Sequence, residues 1–369
     1  MKTIYLFASL GDLQKIAAGG GQTSARRLVK VLKGLGYEVE VVNRTIPPYT
    51  IETLGAKLHK AMGFVIDPIR YFFYLLIRIR RRGNSVSMTI GYSGFLFPYF
   101  FLFVRIGKLL GYKTTIYVKG GFTEEKFECF SKYLKNSYSK GLKKTDFAFY
   151  EGEEGANISK KVAPKTESVW IPNYVEDGFA PVTNPNKPKG RFNLLYFGRI
   201  HEAKNVTLIV DVFNSLCEKY NNISLTIVGS GGSEYEKSVA LKIDNSIYKK
   251  RICRIERTEH EKLKDILASH HFFIFPSVES QEGHSNSLNE AMSYGLVPVV
   301  SDNNFLPSIV GNDRLVIHEM SAEAYASVIM DVIESGDYDK LSHEIYNRIQ
   351  QHFTQGVVEK KIKTIIDTL

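Results

Sequence analysis

Between His271 and Asp302 the chain spells out a strand, a loop, a helix and a second strand. Phe272-Phe273-Ile274-Phe275 is an apolar run of the length of a buried strand, and Pro276-Ser277 stops it. A polar loop follows. Leu288-Asn289-Glu290-Ala291-Met292 then reads as the first turns of a helix, with Ser285, Asn286 or Ser287 available as its cap. Gly295 ends that helix, and Val297–Val300 opens the next buried strand. A β-loop-α-β unit of this kind belongs to an open parallel sheet. Its loop lies outside the carboxyl ends of the strands, where such sheets bind ligands.

Glu282 and Glu290 bracket the loop, with seven residues between them. The free N–H groups of a helix N-terminus between them would suit an anion such as a diphosphate. A carboxylate suits sugar hydroxyls, because it accepts two or more hydrogen bonds at once. On spacing alone, a helix cap at Glu290 and a solvated Glu282 fit equally well.

Taken in order, Pro276-Ser277, Glu282-Gly283, Glu290-Ala291-Met292, Gly295 and Pro298-Val299-Val300 resemble the donor-site signature of glycosyltransferase family 4. The loop reads His284-Ser285 where the family has Phe-Gly. The resemblance implies a retaining, nucleotide-sugar-dependent enzyme of GT-B fold, with two Rossmann-like α/β domains facing across a cleft. It implies that Glu282 acts on the transferred sugar and Glu290 on the nucleotide ribose. His284, Ser285, Asn286, Ser287 and Leu288 complete the expected donor loop, with His284 the candidate to touch the transferred sugar.

Charge divides the chain in two. Residues 1–175 carry 27 Lys and Arg against 13 Asp and Glu, whereas the remainder carries 21 against 26. A basic first half suits an anionic lipid surface, a phosphorylated substrate or nucleic acid. Nucleic acid ranks low, because the aromatics lie in apolar runs and are not interleaved with basic residues as stacking platforms. The three cysteines, Cys129, Cys217 and Cys253, have no paired or metal-ligand spacing, which points to a reducing compartment. Lys2–Leu10 reads as a first strand leading to Gly19-Gly20-Gly21 and not as a signal peptide.

After that glycine loop, apolar residues at helical period run from Thr23 to Leu35, Gly36 ends the helix, and Glu38–Val42 is strand two. Gly20-Gly21, or Gly19-Gly20, resembles the family's Gly-Gly pair near the donor phosphate and acceptor. Pro68–Arg82 mixes an apolar anchor (Tyr71, Phe72, Leu76) with Arg78, Arg80, Arg81 and Arg82. It reads either as a buried helix with snorkelling arginines or as a helix lying on an anionic membrane. Phe95–Val104, broken by Pro98, reads as core. Neither segment reaches the roughly 18–20 apolar residues of a membrane span.

Thr115–Val118 is a strand ending in Lys119-Gly120-Gly121, a candidate acceptor contact. Asp177–Gly190, rich in proline, reads as an interdomain linker. The second domain opens with Leu194–Phe197, then Gly198-Arg199 and Lys204-Asn205. In the family this Arg and Lys clamp the donor diphosphate. The chemistry agrees, since a diphosphate needs fixed cations. Ile223–Val228 ends in Gly229-Ser230-Gly231-Gly232, with Gly229 resembling the family's glycine turn near the nucleotide. His270 and His271 read as structural. Ala322–Ile333 and Tyr346–Leu369 are helical in pattern.

The expected domains are therefore 1–176, a linker at 177–190, a nucleotide-sugar domain at 191–350, and a last helix at 351–369 crossing back to the first. Arg199, Lys204 and Glu282 are the expected catalytic residues, with no cofactor and no catalytic metal, because no Asp-x-Asp motif ends a strand. The acceptor is expected to be lipid-linked or a glycan, and the setting cytoplasmic and peripheral to a membrane. A nucleotide-sugar epimerase of the same fold is the rival reading.

Overall fold

Twelve short strands among the described residues form two six-stranded sheets, parallel throughout. The structure is a computed structural model that describes residues 1–11, 20–45, 54–232, 234–256 and 258–369. It divides into Met1–Asn173 with Glu359–Leu369, and Tyr174–Val358. The expected boundary after Glu176 thus falls three residues earlier, and 177–190 packs as part of the second unit. There Asn184 Nδ2 donates to Ser342 Oγ at 2.9 Å, and Lys187 Nζ to Leu267 O at 2.8 Å.

In the first unit β1 (Thr3–Ala8), β2 (Glu38–Asn43), β3 (Ser85–Tyr92), β4 (Lys113–Lys119), β5 (Phe147–Tyr150) and β6 (Glu167–Trp170) lie in the order β2-β1-β3-β4-β5-β6. Helix α1 (Gly20–Gly34) starts earlier than its periodicity suggested. Gly20 and Gly21 are therefore in its first turn and not in a loop, and residues 12–19 of the expected glycine loop lie outside the described residues. Gly21 packs closely, since a Cβ there would stand 2.7 Å from the Tyr92 hydroxyl and push that side chain aside.

Helix α2 (Leu54–Ile77) continues past an interior Pro68, and a 3-10 turn, Ile79–Asn84, carries Arg80, Arg81 and Arg82. Two members of the expected membrane anchor are committed inward. Tyr71 is fully buried, its hydroxyl 3.1 Å from Tyr5 O and 2.9 Å from Ser87 Oγ. Arg78 bonds Glu40 at 3.0 Å and stacks on Tyr74. Helix α3 (Phe97–Leu109) buries Phe97, Phe100, Phe101, Phe103 and Val104 of the segment read as core but leaves Phe95 and Leu102 exposed, and Pro98 starts the helix and does not break it. Its Phe97 and Phe101 join Phe122, Tyr138 and Tyr150 in one buried aromatic cluster. No helix among the described residues is long and apolar enough to cross a membrane.

The second unit holds β7 (Phe192–Phe197), β8 (Ile223–Val228), β9 (Ile252–Ile255), β10 (Phe272–Phe275), β11 (Val297–Ser301) and β12 (Val316–Ile317), ordered β12-β11-β10-β7-β8-β9. The central strands are buried on both faces, hence their unbroken apolar runs. Chain order reverses between β7 and β10, so the crevice at their carboxyl ends is the switch point where such sheets bind ligands. The helical pattern over 346–369 falls in two helices, Tyr338–His352 and Gln355–Thr368, so the last helix starts at Gln355 and not at 351. Between them Val175 N donates to Phe353 O at 2.8 Å and Gln355 N to Val175 O at 3.1 Å, a bridge that interrupts the helix.

His270 and His271 are both structural here. His271 Nδ1 accepts from Asn193 N at 3.1 Å while Nε2 donates to Pro188 O at 3.0 Å, and His270 is held between Ile266 O and Thr226 Oγ1. Each ring is satisfied as a neutral imidazole, and burial pushes both down to about 4. In the unfolded chain a histidine titrates near 6.5, so between pH 6.5 and 4 the unfolded state binds more protons. Stability from this pair is full above pH 6.5 and is lost as pH falls towards 4. The urea midpoint should therefore be lower at pH 5 than at pH 7.5, and His271→Gln should lose part of that slope. Equal midpoints in the wild type would remove the pair from the acid sensitivity.

Candidate functional site

The site is built where β7 and β10 end. After Phe197 the chain turns at Gly198, and two bonds tie this turn to the one after β8: Gly198 N donates to Val228 O at 3.0 Å and Ile200 N to Ser230 O at 3.2 Å. Backbone meets backbone here. A Cβ on Gly229 would fall 1.8 Å from Gly198 O, and one on Gly231 1.8 Å from Ile200 O. Gly229 also sits at φ +136°, a conformation other residues rarely adopt. The glycine turn thus sets the position of Arg199, between Gly198 and Ile200. Tyr196 donates its hydroxyl hydrogen to Arg199 O at 2.6 Å and steadies the same turn. The Arg199 guanidinium reaches outward, its side chain 60% exposed with Glu279 4.0 Å away.

Lys204 is the opposite case. It ends a 3-10 turn, Glu202–Lys204, and is followed by Asn205 in the left-handed region (φ 50°, ψ 44°). Asparagine tolerates that region better than most residues, and the reversal starts the helix Val206–Lys219. Lys204 is buried. Its ammonium bonds the Glu282 carboxylate, with Ser277 Oγ at 3.4 Å, and Ser277 donates to the same Glu282 oxygen. Val278 N, donating to Ala203 O at 2.8 Å, joins the two loops through the backbone as well.

The β10 loop is braced from β11. Ser301 Oγ donates to Ser277 O at 2.6 Å, and Asn303 Nδ2 donates to Ser277 O and Glu279 O at 3.0 and 3.1 Å. Ser285, one of the three candidate caps, accepts from Leu288 N at 3.3 Å and caps the helix Asn286–Met292. Ser287 Oγ lies 3.1 Å from Ser285 Oγ. His284 is buried with its Nδ1 3.2 Å from Asn289 Nδ2 and its ring edge-on to Phe353. Glu290 is buried one turn into the helix.

Arg199, Lys204, Gly229, Glu282, the 284–288 segment and Glu290 thus all belong to the second unit's switch point. Gly20, Gly21, Lys119, Gly120 and Gly121 belong to the first unit. Lys119, the candidate acceptor contact, is 3% exposed, its ammonium 2.6 Å from Ser24 Oγ, 3.2 Å from Asn173 Oδ1 and 3.5 Å from Glu151 Oε1. Burial pulls its pKa below the usual lysine value, against the opposing pull of Glu151. Gly120 N donates to the other Glu151 oxygen at 2.8 Å, and Gly121 O accepts from Lys126. Ser277, Asn205 and Gly231 lie within their motifs but have no role of their own legible in the sequence, since their work is to hold Lys204, Glu282 and Arg199 through contacts between separate loops.

Residues 182–352 match the family model described as glycosyl transferases group 1. The chain is 21% identical over 197 residues to a phosphatidylinositol N-acetylglucosaminyltransferase polypeptide of Arabidopsis thaliana, covering 53% of this chain and 43% of that protein. It spans under half the length of the curated relatives it matches. Among solved structures, sucrose-phosphate synthase from Thermosynechococcus elongatus superposes with a TM-score of 0.71 at 16% identity, covering 100% of this chain and 99% of that one. Anabaena HepE, solved in complex with UDP, gives a TM-score of 0.69 at 11% identity with both chains fully covered. These likenesses carry the fold, two parallel α/β units of GT-B type. The chain is thus similar to glycosyl transferases group 1 over residues 182–352 and has a GT-B fold, in keeping with the family 4 resemblance of its motifs.

Proposed function

We propose that the protein is a retaining glycosyltransferase that moves a sugar from a UDP- or GDP-linked donor to a lipid-linked or polysaccharide acceptor, at the cytoplasmic face of a membrane. The observation that carries this reading is the cation pair at the switch point. Lys204 is locked in place by Glu282 and Ser277, and Arg199 stands exposed on a turn held by glycines. Fixed cations aimed at a leaving diphosphate stabilise charge as it develops, without reorganising during the reaction. UDP in the HepE complex and the lipid named in the curated relative support the donor and acceptor classes.

In the step envisaged, the bond from the anomeric carbon to the diphosphate oxygen breaks and the acceptor hydroxyl oxygen bonds to the same face of that carbon. The hydroxyl proton passes to the departing phosphate oxygen. Lys204 and Ser277 both bond Glu282 Oε2, so in this scheme Glu282 holds Lys204 in place with one oxygen and meets the transferred sugar with the other. Glu290 binds the nucleotide ribose.

Incubation with a panel of nucleotide-sugars without acceptor, in EDTA, tests the reading. Slow hydrolysis of one donor supports it. Interconversion of donors points to an epimerase, and no consumption of any donor removes the transferase reading. Glu290→Gln should then weaken nucleotide affinity by roughly tenfold, the value of one charge-assisted hydrogen bond. Unchanged affinity by calorimetry would leave Glu290 a structural carboxylate of its helix.

A further inference from the structure

Helix α2 turns one face into the first unit and the other to solvent. Asp67, Tyr71 and Leu75 on the inner face are fully buried. On the outer face Met62, Val65, Ile69, Phe73 and Ile77 recur at spacings of three and four and remain 53–78% exposed. Such spacing makes one continuous stripe, about 22 Å long at a rise of 1.5 Å per residue. Helix α3, packed beside it with Phe103 against Tyr71, exposes Leu102 and Leu109 as well. An apolar face this long is not left to water without an occupant.

Charge selects the occupant. Residues 54–109 carry nine Lys and Arg and one acid, Asp67. That acid is buried and bound by Thr45 and Arg70. Arg80, Arg81 and Arg82 are exposed where α2 ends, and Arg105 is exposed between Leu102 and Leu109. A second copy on this face would bring the same arginines together, and like charges in an interface cost several kcal/mol. An anionic bilayer meets both features at once, with acyl chains for the stripe and phosphates for the arginines.

We propose that α2 lies flat on an anionic membrane, with Met62, Val65, Ile69, Phe73 and Ile77 at the acyl boundary and Arg80–Arg82 on lipid phosphates. This assignment deepens the membrane setting proposed above by naming the surface that makes the contact, and its readout is vesicle binding and not donor turnover. The stripe, and not Tyr71 or Arg78, makes the contact.

The test is flotation of the full chain with phosphatidylcholine vesicles, with and without phosphatidylglycerol, at low and high salt. The wild type should bind the anionic vesicles, and less so in high salt as the Debye length shrinks from about 10 Å to about 3 Å. Arg80→Ser/Arg81→Ser/Arg82→Ser should lower partitioning about a hundredfold, each arginine near the surface contributing roughly fivefold. Ile69→Glu/Phe73→Glu should abolish binding while leaving the melting temperature unchanged, since both side chains are exposed. Equal partitioning of all three proteins overturns the proposal. A wild-type dimer that Ile69→Glu/Phe73→Glu converts to a monomer, without altered vesicle binding, overturns it in favour of a second copy.

Discussion

Lys204→Met should destabilise the second unit by about 3–5 kcal/mol and cut turnover on the order of a hundredfold, whereas adding Glu282→Gln should return most of the stability and none of the turnover. The reason is burial. Lys204 and Glu282 are 6% and 9% exposed and bond each other. Removing the ammonium alone leaves a buried carboxylate bonded, among the described residues, by the Ser277 hydroxyl. Neutralising Glu282 as well removes that penalty, and Ser277 can still donate to the glutamine oxygen. The catalytic loss is unaffected, because the leaving diphosphate still lacks its cation. Urea unfolding and donor turnover across the wild type, both single variants and the double variant form a complete cycle. Stability losses that simply add, or a double variant that turns over normally, would rule out the arrangement.

That pairing shows where sequence reading ended. Each half of the site was legible: an apolar run stopped by Pro276, two glutamates around a polar loop, and Arg199 and Lys204 after a strand. Their expected chemistry came from the family resemblance, because an Arg-Lys pair after a strand, taken alone, reads as ordinary surface charge. What could not be read was that Lys204 and Glu282, 78 positions apart, satisfy each other. Local patterns encode periods and caps. They do not encode which strand neighbours which, and it is the insertion of β10 beside β7 that brings these loops together.

Lys119 illustrates the same limit from the other side. A lysine before two glycines at a strand end has every local mark of an exposed residue. Its burial comes from Ser24 and Asn173, one from an early helix and the other from the end of the first unit. Pro98 failed differently. A proline within an apolar run is equally consistent with a break and with a first helical turn, and the buried aromatics of α3 decide for the latter. In α2 the inner and outer faces are both apolar. Composition could not separate Tyr71, which fills the core, from Phe73, which does not.

Gly229→Ala should be the most damaging single methyl group in the second unit. The new Cβ would stand 1.8 Å from Gly198 O and 3.0 Å from Gly198 C, and both are backbone atoms that no rotamer change can move aside. The φ of +136° adds strain of its own, about 1–3 kcal/mol. Relief requires the Gly198–Ile200 turn to retreat, and that turn carries Arg199. A displacement of about 1 Å in a group that must meet a developing charge can cost on the order of a hundredfold in turnover. Gly232→Ala is the control: its φ is +61°, but nothing stands within 4 Å of the added Cβ. The control should lose roughly 1 kcal/mol of stability and keep its turnover. Donor turnover and thermal unfolding of the two variants therefore separate strain from displacement. If Gly229→Ala loses stability but turns over as well as Gly232→Ala, the glycine turn supports only the fold, and Arg199 does not depend on it for its place.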